Sequence, residues 1–201
     1  MTPLTLAARA ACFRQSYPRN EPSWPWLTKE QGRPVLYAIW VIGNDYRNKS
    51  GYYGAYPPGY LARVLALFPD VAAADTLHAF SGSMPKGDYT RCDAVQPSEY
   101  QVSVLDLPIA LDEDRDLFRL VLADPPYTAE DAKRYGTGGV NRRLCTAALA
   151  EVTQPGGFLA WLDTCWPMHT KKQWVTVGRI LVQRSTNHRA RVLSLFERTH
   201  D

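Results

Sequence analysis

Residues 117–127 read LFRLVLADPPY, and this stretch decides the fold prediction for the chain. Its first seven residues are mostly apolar and favour extended structure, so they predict a buried strand over residues 117–123. Two prolines follow the acid at once, and proline cannot donate a backbone hydrogen bond to a sheet. The strand is therefore predicted to end at Asp124.

Strand and helix patterns alternate on both sides of this stretch. Apolar residues at helical spacing predict helices over residues 58–68 and 141–152. Short apolar runs predict strands over residues 35–42, 76–80, 89–92, 158–162, 174–182 and 190–196. The last two strands are joined by a turn-rich segment, so the sequence predicts an α/β sheet that is mostly parallel, with a C-terminal antiparallel hairpin.

The composition is that of a globular protein. The chain has 201 residues, of which 45% are hydrophobic and 21% are charged, with a net charge of +3. These values exclude a largely disordered, collagen-like or coiled-coil chain. The positive charge is compatible with a polyanionic partner but too mild to establish one.

Several classes of site and location are not indicated. The longest apolar run covers residues 35–42, far short of the roughly 20 residues that cross a bilayer, so no membrane partner is expected. No secretory signal is visible, and the expectation is a cytoplasmic protein. The four cysteines are widely spaced without a C-x-x-C pair, so no metal site is predicted.

Prolines set the N-terminal quarter apart from the rest. The spacing of Pro3, Pro18, Pro22, Pro25 and Pro34 disfavours long helices. Residues 1–50 are therefore predicted to be a proline-rich arm packed on the core, and residues 51–201 to be the main domain.

The four residues that end the central strand offer a specific chemistry. Ligands of open α/β sheets bind beyond the carboxyl ends of the strands. There Asp124 supplies an ionised acceptor, Pro125 and Pro126 expose rigid carbonyls, and Tyr127 supplies an aromatic face. Together they would hold a planar ring that carries an exocyclic amine. The alternative interpretation is a strand-ending turn with a buried tyrosine.

Asp124, Pro125, Pro126 and Tyr127 match the signature [DNS]-P-P-[YFW] in full. In this respect the chain resembles the S-adenosylmethionine-dependent amino-methyltransferases of nucleic acids, which modify N6 of adenine or N4 of cytosine. The resemblance implies a Rossmann-like methyltransferase sheet, S-adenosylmethionine as cofactor, DNA as partner, and residues 51–201 as the catalytic domain. It assigns the catalytic role to these four residues.

A second motif extends the resemblance to the expected cofactor site. The F-x-G-x-G cofactor loop of the family is similar to Phe80-Ser81-Gly82-Ser83, although Met84 replaces its last glycine. The resemblance also implies cofactor contacts by four acids and aromatics and two of their neighbours, namely Asp93, Asp106, Leu107, Tyr53, Tyr56 and Pro57. Solvated loop acids and an aromatic turn are the alternatives for these residues.

The spacing after the cofactor loop predicts a departure from the family. Only eight residues separate Phe80 from Tyr89, whereas a parallel crossover through a helix needs a dozen or more. The first crossover helix is therefore predicted to be shortened or absent. The helix over residues 58–68 is predicted to cover the sheet face in its place.

Basic residues in three loops are the candidates for nucleic-acid contacts. Residues 128–143 are predicted to form a mobile basic lid over the target pocket. The candidates in this lid and in two loops near the hairpin are Lys133, Arg134, Arg142, Arg143, Lys171, Lys172 and Arg189. Ordinary solvated loops are the alternative.

The function expected from the resemblance is methyl transfer to N6 of adenine in DNA. An N4-cytosine or RNA enzyme of the same chemistry, acting on single-stranded substrate or a flipped base, is the first alternative. A catalytically inactive protein that binds nucleic acid or a partner is the second, and Met84 favours it slightly. The intervals between motifs leave no room for a separate target-recognition domain, so a homodimer or a specificity subunit remains open.

Overall fold

The computed structural model of the chain describes residues 3–43, 56–111, 117–185 and 190–200. Its helices are α1 Leu6–Ser16, α2 Tyr60–Leu67, α3 Leu107–Ala110, α4 Ala129–Arg134 and α5 Arg142–Glu151. Its strands are β1 Trp26–Glu30, β2 Arg33–Ile42, β3 Thr76–Ala79, β4 Thr90–Cys92, β5 Phe118–Ala123, β6 Thr153–Asp163, β7 Trp174–Arg184 and β8 Ala190–Arg198. Every strand and helix predicted above from an apolar pattern is present within two residues of its predicted bounds, except that β6 begins five residues before the predicted start at residue 158.

The strands form one mixed sheet in the order β1-β2-β7-β8-β6-β5-β3-β4. Six of the described strands run in one direction, and β1 and β8 run against them. From β3 the chain moves outward to β4 and then returns to β5 on the other side of β3. This reversal is a topological switch point, where open α/β sheets bind ligands at the carboxyl ends of the strands. The predicted α/β sheet, mostly parallel with a C-terminal antiparallel hairpin, is confirmed.

Two hydrophobic clusters hold helices on the two faces of the sheet. On one face, Phe13 of α1 stacks on Trp40 of β2, and Val64 of α2 belongs to the same buried cluster as Leu122 of β5. On the other face, Leu149 of α5 packs against Val121 of the same strand. Burying each such side chain contributes on the order of 1.5–3 kcal/mol. Because both faces of β5 are covered, the strand is held rigidly up to its end.

The N-terminal segment contributes a helix and two strands to the fold. An eleven-residue helix, α1, fits between Pro3 and Pro18, and Thr5 caps it by accepting a hydrogen bond from the Ala8 amide at 3.2 Å. β1 and β2 are strands of the sheet itself, and β2 pairs with β7. The prolines fall at the ends of elements, where they interrupt nothing. The predicted boundary between residues 50 and 51 lies outside the described residues.

The connection from β3 to β4 is a bare loop, as predicted. Residues 80–89 are all described and contain no helix, although β3 and β4 pair in parallel. On the α2 side, the ring of His78 on β3 is packed between Tyr56 and Tyr89, at 5.7 and 4.6 Å between ring centres. Tyr56 in turn stacks on Tyr60 of α2. The aromatic residues thus extend the cover that α2 provides over β5.

No helix within the described ranges combines the length and the apolar character needed to span a membrane.

Candidate active site

The candidate site begins where β3 and β5 end side by side. Ala79 and Ala123 are paired neighbours at the last step of the two strands. The residues that follow them, Phe80 and Asp124, therefore leave the sheet next to each other at the switch point. Both line a cleft of about 660 Å³, a volume typical of small-molecule sites.

The loop after β3 has an unusual backbone. Phe80 has a φ of 56°, in the left-handed region that residues other than glycine rarely adopt, and Gly82 has a φ of 53°. The amide of Ser81 donates to the Cys92 carbonyl at 3.0 Å, which ties the loop to the end of β4. Such strained positions cost about 1–3 kcal/mol and cluster at ligand sites. The Ser81 hydroxyl is buried and has no hydrogen-bond partner among the described residues.

Asp93 fastens this loop. Its carboxylate accepts from the Gly82 amide at 2.8 Å and from the Val95 and Gln96 amides at 2.9 and 2.7 Å. Asp93 also lines the cleft. Since a carboxylate offers about four acceptor positions, it retains capacity for one more donor. Asp93 therefore has a structural task in addition to any contact with a ligand.

Two predicted cofactor contacts, Asp106 and Leu107, lie a few residues away from the residues that line the cleft. Leu107 points into the hydrophobic core at the start of α3, and Asp106 is exposed. Neither of them lines the cleft, whereas Ser103 and Val104 do. Burial of Leu107 in the hydrophobic core sets the orientation of the turn before α3. The spacing of the motifs in the sequence does not predict this burial.

The predicted aromatic wall also lies elsewhere. Tyr56 sits behind β5, where its hydroxyl donates to the Leu122 carbonyl at 3.4 Å and lies 3.3 Å from Nδ1 of His78. Pro57 is buried beside it, and neither residue lines the cleft. Burial lowers the pKa of His78 to about 4, so this ring is neutral near pH 7. Tyr53 lies outside the described residues.

The four residues after β5 form the floor of the cleft. Asp124, Pro125, Pro126 and Tyr127 all line it. The Tyr127 hydroxyl donates a short hydrogen bond to Oδ1 of Asp124. Burial raises the pKa of Asp124 to about 6, and the positive charge of Arg191 opposes this rise. Asp124 is therefore an ionised acceptor at pH 7 that lies close to its protonation point.

Arg142, the first residue of α5, ties the floor of the cleft to the end of β6. Its Nε donates to Asp163 Oδ2 at 2.6 Å, and its Nη2 donates to Asp163 Oδ1 and to the Tyr127 carbonyl at 3.1 Å each. The Asp163 carboxylate is fully buried. Arg142 thus has a structural role inside the protein, and the contact with nucleic acid that the sequence predicts for it stays a prediction.

The predicted lid forms one wall of the cleft. Thr128 caps α4 by accepting from the Asp131 amide at 3.0 Å. The wall itself consists of Asp131 and of residues 135–141, which include Gly136, Gly138 and Gly139. Lys133, Arg134 and Arg143 are exposed and do not line the cleft. The polar and glycine-rich part of this segment faces the site, and its basic part does not.

The remaining basic candidates lie away from the cleft or outside the described residues. Lys171 and Lys172 are exposed just before β7 begins. Since β7 runs parallel to β5, its start is at the opposite edge of the sheet from the cleft. The chain must cross the protein between β6 and β7, which the sequence prediction did not take into account. Arg189 lies outside the described residues.

The cleft also has polar lining residues beyond β5 that the sequence analysis did not single out. Thr164, Arg184 and Arg191 line the cleft from the ends of β6 and β7 and the start of β8. The guanidinium carbon of Arg191 lies 4.8 Å from the ring centre of Tyr127, a cation–π contact. The predicted C-terminal hairpin could have identified these residues. Its first strand is parallel to β5, so that strand ends, and the next one begins, at the carboxyl edge of the sheet.

No protein-family model, curated protein or solved structure matches this chain. Within the described ranges, no three His, Cys, Asp or Glu side chains stand together in a way that would hold a metal ion. The chemistry of the cleft therefore has to be argued from its own residues.

Proposed function

We propose that this protein is an S-adenosylmethionine-dependent methyltransferase that acts on the exocyclic amine of a nucleic-acid base, with N6 of adenine in DNA as the first choice. One observation carries the proposal. Asp124 and Tyr127 stand at the switch point of a parallel sheet, in one cleft with the strained Phe80–Gly82 loop and Asp93. We also propose that the sheet belongs to the Rossmann-like methyltransferase class.

The two halves of the cleft suit two ligands. We infer that the cofactor occupies the half at the ends of β3 and β4, near Gly82, Asp93 and Ser103. Ser81, which lies between the two lining residues Phe80 and Gly82, does not itself line the cleft. Met84 closes a turn by donating its amide to the Ser81 carbonyl at 3.1 Å, and it does not line the cleft. Met84, which replaces the last glycine of the family's loop, therefore does not obstruct the cofactor half of the cleft.

The other half would hold the target base. Tyr127 would offer its ring for stacking, which is worth about 1–3 kcal/mol per base. Oδ2 of Asp124 and the Pro125 carbonyl would accept the two N–H bonds of the amine. Such contacts favour a pyramidal nitrogen whose lone pair points at the incoming carbon. Positioning of this kind is the main contribution that the protein makes.

When bound, S-adenosylmethionine would supply its sulfonium methyl group, so that the new N–C bond forms as the S–C bond breaks. The proton that leaves the amine would pass to Asp124 or to water. With a pKa of about 6, Asp124 can accept this proton and release it to solvent at pH 7. A base within a duplex would have to be flipped to reach Asp124.

The proposal is tested by product analysis. The protein is incubated with methyl-labelled S-adenosylmethionine and, separately, with duplex DNA, single-stranded DNA and RNA, and the nucleosides are then analysed by mass spectrometry. We expect N6-methyladenine in DNA. N4-methylcytosine or label in RNA alone would change the assigned base or polymer. No methylated base in any sample, from protein that binds the cofactor by calorimetry, would overturn the proposal.

A further inference from the structure

A common sheet face brings four polar residues into the cleft. Leu122, Leu162, Leu193 and Val182 belong to the hydrophobic cluster on the α2 side of the sheet. Because side chains alternate along a strand, the residues two positions closer to the cleft share that face. These residues are Asp124, Thr164, Arg191 and Arg184, and all four line the cleft.

This arrangement separates charge within one cavity. Asp124, just after β5, supplies the negative charge at one end of the cavity. Arg191 on β8 and Arg184 on β7 supply the positive charge at the other end. β6 lies between β5 and β8, so the backbones of Asp124 and Arg191 are two strand spacings apart, roughly 10 Å across the sheet. A ligand that complements both ends carries an amine at one end and an anionic group at the other.

Arg191 lies next to Tyr127, on the side of the positive end that faces the amine site. Its guanidinium carbon lies 4.8 Å from the ring centre of Tyr127, so the cation rests against the aromatic ring beside the amine site. Arg191 is also half-buried, whereas the lid residues Lys133 and Arg134 are exposed. Charges in a partly dry cleft interact more strongly than charges on an open surface. A planar guanidinium can keep its ring contact and present its N–H edge to a phosphate.

We propose that Arg191, assisted by Arg184, binds a backbone phosphate of the nucleotide whose amine Asp124 holds. The substrate is then a nucleotide within a strand, and a free base or nucleoside lacks half of the recognition. This inference rests on the proposed function and gives its target pocket a second anchor point. It assigns phosphate recognition to the cleft itself, where the sequence had pointed to the basic lid.

A binding experiment tests the phosphate contact without relying on turnover. Fluorescence anisotropy measures the affinity of the full chain for a labelled single-stranded oligonucleotide over a range of salt concentrations. We expect Arg191→Gln to weaken binding about 5–50-fold at low salt and to reduce the salt slope by about one. Arg191→Lys should recover part of the affinity. Arg33→Gln, which removes an equal charge from the exposed start of β2, should leave the affinity unchanged.

A substrate modification identifies the anion. Oligonucleotides with an uncharged methylphosphonate at the linkages flanking the target adenine should lower the kcat/KM of the wild-type protein about tenfold. The same change should lower that of Arg191→Gln by less than twofold. Equal losses in both proteins would overturn the phosphate assignment, and so would an Arg191→Gln defect confined to cofactor affinity. Wild-type protein that methylates no nucleic acid would instead overturn the proposed function, and the anisotropy data would still decide the phosphate contact.

Discussion

The ends of β5 and β6 carry the same residue type in two opposite situations. Asp163 ends β6, is fully buried, and accepts hydrogen bonds from Arg142, from Nε1 of Trp161 at 3.0 Å and from the Thr164 amide at 2.7 Å. Asp124 directly follows β5, the strand next to β6, and its described hydrogen-bond donor is the Tyr127 hydroxyl. Within the part of the chain that the structure describes, several donors surround the Asp163 carboxylate, whereas only Tyr127 donates to that of Asp124.

The difference shows what separates a structural acid from a reactive one. A buried carboxylate is stable when donors satisfy its ionised form, and the Arg142 ion pair does this for Asp163. Asp124 has burial without an equal set of donors, so its pKa rises to about 6 and its Oδ2 remains to accept a ligand. Incomplete pairing thus prepares Asp124 for the proposed amine contact at some cost to stability.

The largest expected effect lies in catalysis at Asp124. Replacing Asp124 by Ala removes the acceptor that would orient the amine, so we expect methyl transfer to fall by about 10³-fold or more. Cofactor affinity, measured by calorimetry, should change less than threefold, because the inferred cofactor half of the cleft is built on β3 and β4. Loss of cofactor affinity with transfer retained would contradict the assigned roles.

The largest expected effect on folding lies at Asp163. Asp163→Ala leaves Arg142 and the Trp161 indole N–H without their acceptor, and we expect a loss of about 3–5 kcal/mol in the free energy of unfolding. Denaturant unfolding measures it. The matched control is Asp88→Ala, which removes an exposed acid and should change the value by less than about 0.5 kcal/mol. Similar small losses for both would remove the contrast between the two strand ends.

Part of this contrast was predictable and part was not. The apolar run before Asp124 located β5 and its end, and the two prolines marked the loop that forms the floor of the cleft. Local patterns also predicted the position of the Phe80 loop and the absence of a crossover helix after it. These features depend on residues that are neighbours in the chain.

The remaining parts depend on pairing between distant segments. Arg142 looked like one more cation in a basic lid, because nothing near it in sequence reveals that it meets Asp163. Arg191 reaches Tyr127 only because β8 lies between β6 and β7. The proline spacing likewise does not reveal that β2 joins the sheet by pairing with β7. Register and strand order are properties of the whole sheet.

Tyr127 gives a smaller test of the reactive end. Tyr127→Ala removes the ring on which the base would stack, so we expect KM for DNA to rise about 5–100-fold while cofactor affinity stays within threefold. Steady-state kinetics with varied DNA measure the change. An equal rise in the dissociation constant of the cofactor would show that the ring serves the other half of the cleft.

The pH profile gives the smallest expected shift. Transfer needs ionised Asp124, so the rate should fall as the pH drops through about 6. The Tyr127 hydroxyl donates to the carboxylate and favours its ionised form, so Tyr127→Phe should move this acid limb to higher pH by a few tenths of a unit. A limb that stays near the ordinary pKa of aspartate, about 4, would show that Asp124 is not the titrating group.

The most direct measurement compares the wild-type protein with Asp124→Asn in stability and in methyl transfer on the same samples. The raised pKa means that ionised Asp124 destabilises the fold above about pH 6, and this cost disappears as the pH falls toward 4. Asn is neutral and can still accept from Tyr127. At pH 7 we therefore predict that Asp124→Asn is more stable by on the order of 1–3 kcal/mol and transfers methyl groups more slowly than the wild type, at a rate that no longer falls as the pH drops through 6. A variant that methylates DNA at the wild-type rate would contradict the account.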